Sequence, residues 1–265
     1  MTAPKTFEEI ACEAARIGGK VLLDKFRTEE ASRIETKGLH DYVTDVDRQA
    51  EAAIVGFIES RFPDHTVMAE EGSPNAERAR YRWVVDPLDG TTNFSHGVFP
   101  FAVSVGLEDD EGLLAAAVYD PLHDEIFHAH RGGGARLNGS PIGCSRPDRP
   151  GKALIATGFP FRELSRLDEY LDAFGKVIRT TAGLRRAGSA SIDLAYTACG
   201  RYDGFWEVGL ARWDLAAGAL LVLEAGGVVT DLLGDDSFLE TGDIVAGGPG
   251  IHSTLLEITR SAFGT

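Results

Sequence analysis

Everything else in this sequence can be placed once residues 83–94 are understood: Trp83-Val84-Val85-Asp86-Pro87-Leu88-Asp89-Gly90-Thr91-Thr92-Asn93-Phe94. The apolar run Trp83 to Val85 reads as a buried strand that ends on a carboxylate, Asp86. Pro87 cannot donate to a sheet ladder, so the strand is expected to stop there. A second carboxylate follows at Asp89, and Gly90, two threonines and Asn93 then open a loop-to-helix junction. Two carboxylates three residues apart at a strand end can converge on a hard cation, which prefers oxygen ligands. The amides and hydroxyls of Gly90, Thr91 and Thr92 suit a phosphate at a helix N-terminus. The plainer alternative is a polar turn, because Asp-Pro and Asp-Gly are ordinary turn dipeptides. For Asp86-Pro87 in isolation the turn is the better reading; the whole run is far more specific.

Outward from this stretch, the composition is that of a globular chain. The 265 residues are 43% hydrophobic and 25% charged, enough for one large domain or two subdomains sharing a core. The formal net charge of −15 disfavours broad, nonspecific binding to nucleic acid or anionic membranes. Some of that acidity fits a site for several divalent cations; most of it is accounted for by solubility alone. Cys12, Cys144 and Cys199 form no C-x-x-C pair. An odd, scattered set argues against a disulfide framework and fits a reducing cytosol, so a cytoplasmic location is expected. Cys12 and Cys199 lie in apolar helical patterns, where core packing is the default. Met1 to Glu9 has no apolar h-region, and neither a signal peptide nor a membrane span is expected.

Residues 6–29 read as an amphipathic helix, opened by the capping-box pair Thr6 and Glu9 and carried by Ile10, Ala14, Ile17, Val21 and Leu22. The pair Gly18-Gly19 costs helix stability and permits close packing. A second helix is expected over 44–62, ended by Pro63. Strand-like runs follow at 66–69, 83–85, 101–107, 113–119 and 125–130, with turn signals at 109–112 and 121–124. Helices followed by turn-linked strands predict an α+β first half, residues 1–150. From about Lys152 the order alternates: strands at 153–157, 204–208, 228–230 and 243–246, helices at 165–179, 191–199, 213–225 and 252–263. That is an α/β pattern over 151–265, packed against the first half rather than strung from it.

Other acids are candidates to join Asp86 and Asp89. Glu70-Glu71-Gly72-Ser73 follows a strand-like run. Asp41-Tyr42-Val43-Thr44-Asp45-Val46-Asp47 stands at the entrance to the second helix. There Thr44 with Asp47 makes a good cap, and Asp47 can also point into a site. Trp213-Asp214 puts one acid at the start of an otherwise apolar helix, where an N-cap is the plain reading of Asp214.

Together these islands resemble the inositol monophosphatase family. D-x-V-T-x-x-D at 41–47, E-E-G-S at 70–73, W-V-V-D-P-L-D-G-T-T-N at 83–93 and W-D-x-A-A-G at 213–218 match its motifs in order and spacing. So do Gly188-Ser189-Ala190, Gly204-Phe205-Trp206-Glu207 and Glu224-Ala225-Gly226-Gly227, and the likeness runs from about residue 8 to 260. Thr157–Phe161 and Arg185–Ala190 are similar to the bacterial branch. The resemblance implies a layered αβαβα sandwich, a homodimer and two to three Mg²⁺ per subunit. Glu70, Asp86 and the Leu88 carbonyl would hold one ion; Asp86, Asp89 and Asp214 a second; a third would lean on Glu70 and waters. Thr91 paired with Asp47 would orient the attacking water. The amides of Gly90 and Thr91, with Thr92 beside them, would bind the phosphate. Glu207, Gly188, Ser189 and Ala190 would contact the substrate's hydroxyls. Lithium inhibition is implied too.

The implied reaction is hydrolysis of myo-inositol 1-phosphate or a similar small polyol phosphate. The physics agrees: a dianionic monoester repels its nucleophile, and metal ions neutralise it, acidify a bound water and stabilise the leaving alkoxide. Such hydrolysis is among the slowest reactions enzymes accelerate. Asp86 as a covalent nucleophile is disfavoured, since a bridging metal ligand is a poor one. Relatives with the same motifs act on fructose 1,6-bisphosphate, histidinol phosphate or 3′-phosphoadenosine 5′-phosphate. Gly90–Phe94 and Glu207 favour inositol phosphate, while the apolar Thr157–Phe161 departs from animal members and allows broader specificity. A role of another class, as an accessory partner of the transcription machinery, would use Arg185-Arg186. Arg179, Arg185, Arg186 and Arg201 otherwise read as salt-bridging residues at a subunit or domain contact. His128 and His130 alternate on a strand without further ligands nearby, and Gly132–Gly134 reads as a turn.

Overall fold

The computed structural model describes residues 6–32, 34–38, 41–73, 79–147, 149–161 and 164–264. Met1–Lys5 and the side chains of residues 41–43, Asp41 among them, lie outside the described residues. The chain opens with α1 (Phe7–Lys25), a hairpin of β1 (Ile34–Gly38) and β2 (Asp41–Thr44), and α2 (Asp45–Glu59). Then come β3 (Thr66–Ala69), β4 (Arg82–Asp89), the short α3 (Thr91–Ser95), β5 (Ala102–Asp109), β6 (Gly112–Asp120), β7 (Glu125–His130), β8 (Ala135–Leu137) and β9 (Ser140–Pro141). The remainder holds β10 (Leu154–Thr157), α4 (Leu167–Thr180), β11 (Gly183–Arg185), α5 (Ala190–Ala198), β12 (Gly204–Glu207) and α6 (Arg212–Glu224). It closes with β13 (Val228–Thr230), α7 (Phe238–Thr241), β14 (Ile244–Gly247) and α8 (Pro249–Phe263).

Strands β3 to β9 form one sheet in sequence order, antiparallel except for the parallel pair β3 and β4. The second sheet has the order β11-β10-β12-β14-β13. Side-chain alternation explains the layering, because successive residues of a strand point to opposite faces. On β4, Trp83 and Val85 enter a core shared with α1 and α2, while Val84 enters a second core built with α5 and α6. On β12, Phe205 joins that second core, and Trp206 a third one with α4 and α8. Both sheets are covered on both faces, which is why their strands read as continuous apolar runs. The result is an α+β sandwich layered αβαβα, as the resemblance implied. Each fully buried side chain such as Val85 or Leu107 contributes roughly 1.5–3 kcal/mol.

Local chemistry sets the helix ends. Thr6 and Glu9 close a capping box on α1. That helix stops at Lys25, four residues short of the expected end, because Phe26 turns out to pack on Phe94 and Phe101. Gly18 and Gly19 mark a close approach: a Cβ on Gly18 would lie 2.6 Å from Ile54, and one on Gly19 2.5 Å from the Tyr119 ring.

The strand expected to end at Asp86 continues to Asp89. Asp86 pairs with Ser104 and Asp89 with Ala102, so three steps on β4 match two on β5. Pro87 sits in this bulge, where the missing N–H costs no ladder bond. The extra residue also corrects the parity. Residues three apart on a regular strand face opposite sides; across the bulge, Asp86 and Asp89 face the same way.

Candidate active site

A cavity of about 380 Å³ opens where the bulge of β4, the start of α5, the end of β12 and the start of α6 meet. Asp86, Asp89 and Asp214 line it, all buried, and each offers a carboxylate oxygen within 4.8 Å of the others. At that spacing each pair of negative charges repels by on the order of 3 kcal/mol at an effective dielectric of about 20. Burial pushes the Asp86 carboxyl well above the usual range, and the charges of Glu70, Asp89 and Asp214 push it further. Burial also raises Asp89, against the pull of its serine hydrogen bonds. An all-oxygen set of buried carboxylates that repel one another fits a hard divalent cation.

Each acid is held by its own device. The Leu88 amide donates to Asp86 Oδ1 at 2.9 Å. Asp89 Oδ2 takes the Ser189 hydroxyl at 2.7 Å, the Ser191 amide at 2.7 Å and the Ser191 hydroxyl at 2.5 Å, across a hundred residues of chain. Asp214 is the third residue of α6 rather than its N-cap, which is Ala211. Its Oδ2 accepts the Ala211 amide at 2.8 Å, so it caps from inside the first turn and still faces the cavity. Glu70 lines the cavity just outside the aspartate group. Its loop is anchored by Glu51 of α2, whose Oε2 accepts the Glu71 amide at 2.7 Å.

Gly90 carries a φ of +95°, and a Cβ there would lie 3.0 Å from the Pro100 carbonyl. Only glycine takes this turn without strain, and it starts α3 with Thr91 and Thr92 at the cavity wall. The Thr91 hydroxyl lies 3.1 Å from both Asp47 Oδ1 and the Leu88 carbonyl. Asp47 performs both jobs open to it. Its Oδ2 takes the Thr44 amide at 2.9 Å and hydroxyl at 2.5 Å, and Oδ1 is left for Thr91. Burial pushes its carboxyl up to about 6, although the threonine hydrogen bonds pull it down.

Gly188, Ser189, Ala190 and Glu207 also line the cavity, with Ser189 joined directly to Asp89. Glu207 presses on the chain at Gly158, where a Cβ would come within 1.8 Å of its carboxylate. The expected site residues are thus gathered around one cavity, with Asp47 reaching it through Thr91. Residues not singled out from sequence are Glu51, Ser191 and Asp193. Asp193 was visible as a lone acid inside the apolar helix α5; it is buried, and its Oδ1 has no hydrogen-bond partner.

The remaining candidates are accounted for elsewhere. The Nδ1 atoms of His128 and His130 each lie 2.6 Å from one oxygen of Glu8, tying α1 to the sheet. The Gly132 and Gly134 amides donate to Glu224, so that run is a structural turn. Arg201 makes a bidentate pair with Glu125. Arg179 and Arg185 donate to the carbonyls of Gly175 and Leu184. Arg186 lies at the cavity, apart from Arg185.

The sequence profile of the inositol monophosphatase family matches residues 3–262. This chain belongs to that family. It is 49% identical over 252 residues to Nus factor SuhB of Pseudomonas aeruginosa, covering 93% of each chain. Among solved structures, extragenic suppressor protein suhB from Bartonella henselae superposes with a TM-score of 0.90 at 37% identity, covering 96% of this chain and 98% of that one. Inositol monophosphatase from Anabaena (Nostoc) sp. gives 0.86 at 37% identity, covering 97% and 96%. Membership makes a metal-dependent phosphatase site the frame for the acidic cluster. No helix among the described residues is long and apolar enough to cross a membrane.

Proposed function

We propose that this protein is a Mg²⁺-dependent phosphomonoesterase acting on myo-inositol 1-phosphate or a similar small polyol phosphate. The observation that carries the reading is the buried aspartate trio, its oxygens within 4.8 Å, beside the Thr91–Asp47 pair in a cavity of about 380 Å³. When bound, Mg²⁺ on Asp86, Asp89, Asp214, Glu70 and the Leu88 carbonyl would neutralise the phosphate, acidify water and stabilise the leaving alkoxide.

In this reading the protein's own groups do the rest. The amides of Gly90 and Thr91 and the hydroxyl of Thr92 grip the phosphate. The Thr91 oxygen accepts a hydrogen bond from the attacking water, while its own proton points at Asp47 Oδ1. With its carboxyl near 6, Asp47 is ionised at neutral pH and basic enough to draw that proton. Water attacks phosphorus directly and no phosphoenzyme forms. Gly188, Ser189, Ala190 and Glu207 orient the ring hydroxyls. Residues 1–150 thus carry most of the ligands, and residues 151–265 bring Asp214 and the substrate wall. Lithium is expected to inhibit.

The test is phosphate release from a panel of monoesters with and without Mg²⁺, wild type against Asp86→Asn. The panel includes inositol 1-phosphate, fructose 1,6-bisphosphate, histidinol phosphate and 3′-phosphoadenosine 5′-phosphate. Mg²⁺-dependent turnover lost in the variant supports the mechanism, and the preferred ester names the substrate. No turnover by folded, Mg²⁺-loaded protein overturns it.

A second role follows from the relative named Nus factor SuhB: partnership with the transcription machinery, with the exposed Arg185 as a contact. Co-purification with transcription factors that survives Asp86→Asn supports it; its absence, or dependence on Asp86, counts against it.

A further inference from the structure

Among the described residues, Arg186 is the single cationic side chain lining the cavity; the other charged groups there are carboxylates. Its guanidinium lies 5.4 Å from the ring centroids of both Phe159 and Phe161. The two rings meet edge to face, 5.7 Å apart, and stand partly exposed at the mouth. Apolar Thr157–Phe161 therefore builds an aromatic clasp around one cation.

Among the described residues that cation is held only by its contact with the two rings. No ion pair or hydrogen bond among the described residues uses the Arg186 guanidinium. A charge present only to offset the nearby acids would bond to one of them, yet Asp193 Oδ1 stays without a hydrogen-bond partner. Contact with aromatic rings holds a guanidinium through its charge and leaves its N–H groups available. Those groups form a fork that matches phosphate or carboxylate oxygens.

Its position separates it from the reacting end. The charge of Arg186 acts on Asp193 and Tyr170, whereas the charges acting most on Asp86 come from Glu70, Asp89 and Asp214. Its Nη1 also comes within 2.6 Å of where a Cβ on Gly188 would stand. Arg186 thus borders Gly188, one of the residues read as contacting the substrate's hydroxyls, where the alcohol part of an ester would lie.

We infer that Arg186, clasped by Phe159 and Phe161, is a subsite for a second phosphate group on the alcohol portion of the substrate. The inference rests on the phosphomonoesterase reading of the same cavity. It makes Arg186 a specificity-determining residue that favours bisphosphates over esters carrying only the phosphate to be cleaved.

The experiment compares fructose 1,6-bisphosphate with fructose 1-phosphate, both cleaved at C1, using Mg²⁺-loaded wild type, Arg186→Gln and Arg186→Lys. The kcat/KM ratio of bisphosphate to monophosphate is expected to fall about tenfold or more in Arg186→Gln, through KM, with partial recovery in Arg186→Lys because an ammonium keeps charge but not the fork. A ratio within about twofold of wild type in both variants overturns the subsite. Calorimetric binding of fructose 6-phosphate, which carries only the second phosphate, gives a readout without turnover. It is expected to weaken about tenfold in Arg186→Gln. If wild type cleaves no ester but binds fructose 6-phosphate through Arg186, the phosphatase reading fails and the subsite stands. If turnover is normal and neither ratio nor binding changes, the subsite alone fails. Arg186 is exposed, and matching thermal midpoints establish that both variants fold.

Discussion

The two ends of β4 bury charge in opposite ways. At its start, Arg82 pairs across the sheet with Glu108, which is 3% exposed. Glu108 Oε2 takes Arg82 at 3.1 and 2.6 Å, and Oε1 takes Arg212 at 2.5 Å. One carboxylate meets two guanidinium groups. At the other end Asp86, 1% exposed, meets Glu70, Asp89 and Asp214 and no basic side chain among the groups acting most on it. The first arrangement is complete within the protein. The second is complete only with something positive from outside. Equal burial therefore says little about function; the sign of the neighbours says a great deal.

This contrast is broken most directly at Asp86. Asp86→Asn is expected to lower phosphate release by about 10³-fold or more, through loss of a shared metal ligand. Without Mg²⁺ the same change removes repulsion, so the thermal midpoint should rise by roughly 2–4 °C for each kcal/mol relieved. Unchanged turnover, or a lower midpoint without metal, would merge the two ends into one structural class.

Glu108→Ala is the mirror experiment. It strands Arg82 and Arg212 and is expected to cost about 3–5 kcal/mol in denaturant unfolding, with kcat of the folded fraction retained. A loss of activity larger than the loss of folded protein would contradict a purely structural role.

Thr91→Val sharpens the catalytic end. It removes the hydroxyl between Asp47 and the water, and kcat is expected to fall about 10²-fold while KM changes little. The pH profile checks the same relay. Asp47 must be ionised to draw the proton, so wild-type kcat should fall as pH drops through about 6. The corresponding limb should vanish in Asp47→Asn, whose residual rate no longer depends on that group. A limb that persists there belongs to another residue.

The smallest effect is expected at Arg201. Its pair with Glu125 is bidentate, but its side chain is 39% exposed. Arg201→Ala should cost only about 1 kcal/mol or less, because solvent screens the pair. A cost near that of Glu108→Ala would show that exposure does not set the scale.

Local chemistry was legible from the chain itself. The run Asp86 to Thr92 announces acids, a turn and phosphate-binding groups because they are adjacent, and Thr44 with Asp47 announces a cap because capping is a three-residue contact. Helical and strand periods placed the long elements to within a few residues. Less legible were places where a distant partner changes the local outcome. Pro87 reads as the end of a strand, yet β5 accommodates it in a bulge. Asp214 reads as an N-cap but stands three residues past it and faces the cavity. The hairpin of β1 and β2, and the short strands β8, β9 and β11, carry too few residues for a period to register.

By itself, then, the sequence determined which chemistry this protein holds: which acids, which hydroxyls, which glycine, and on which elements they ride. Those follow from covalent neighbours and from the hydrophobic period. Only the tertiary structure decided what each charge faces. It set Asp214 beside Asp89 across 125 residues, gave Glu108 two arginines and Asp86 a ring of other acids, and brought Arg186, though not its neighbour Arg185, to the cavity. Electrostatic environment depends on distance through space and on burial, and neither is written in the spacing along a chain.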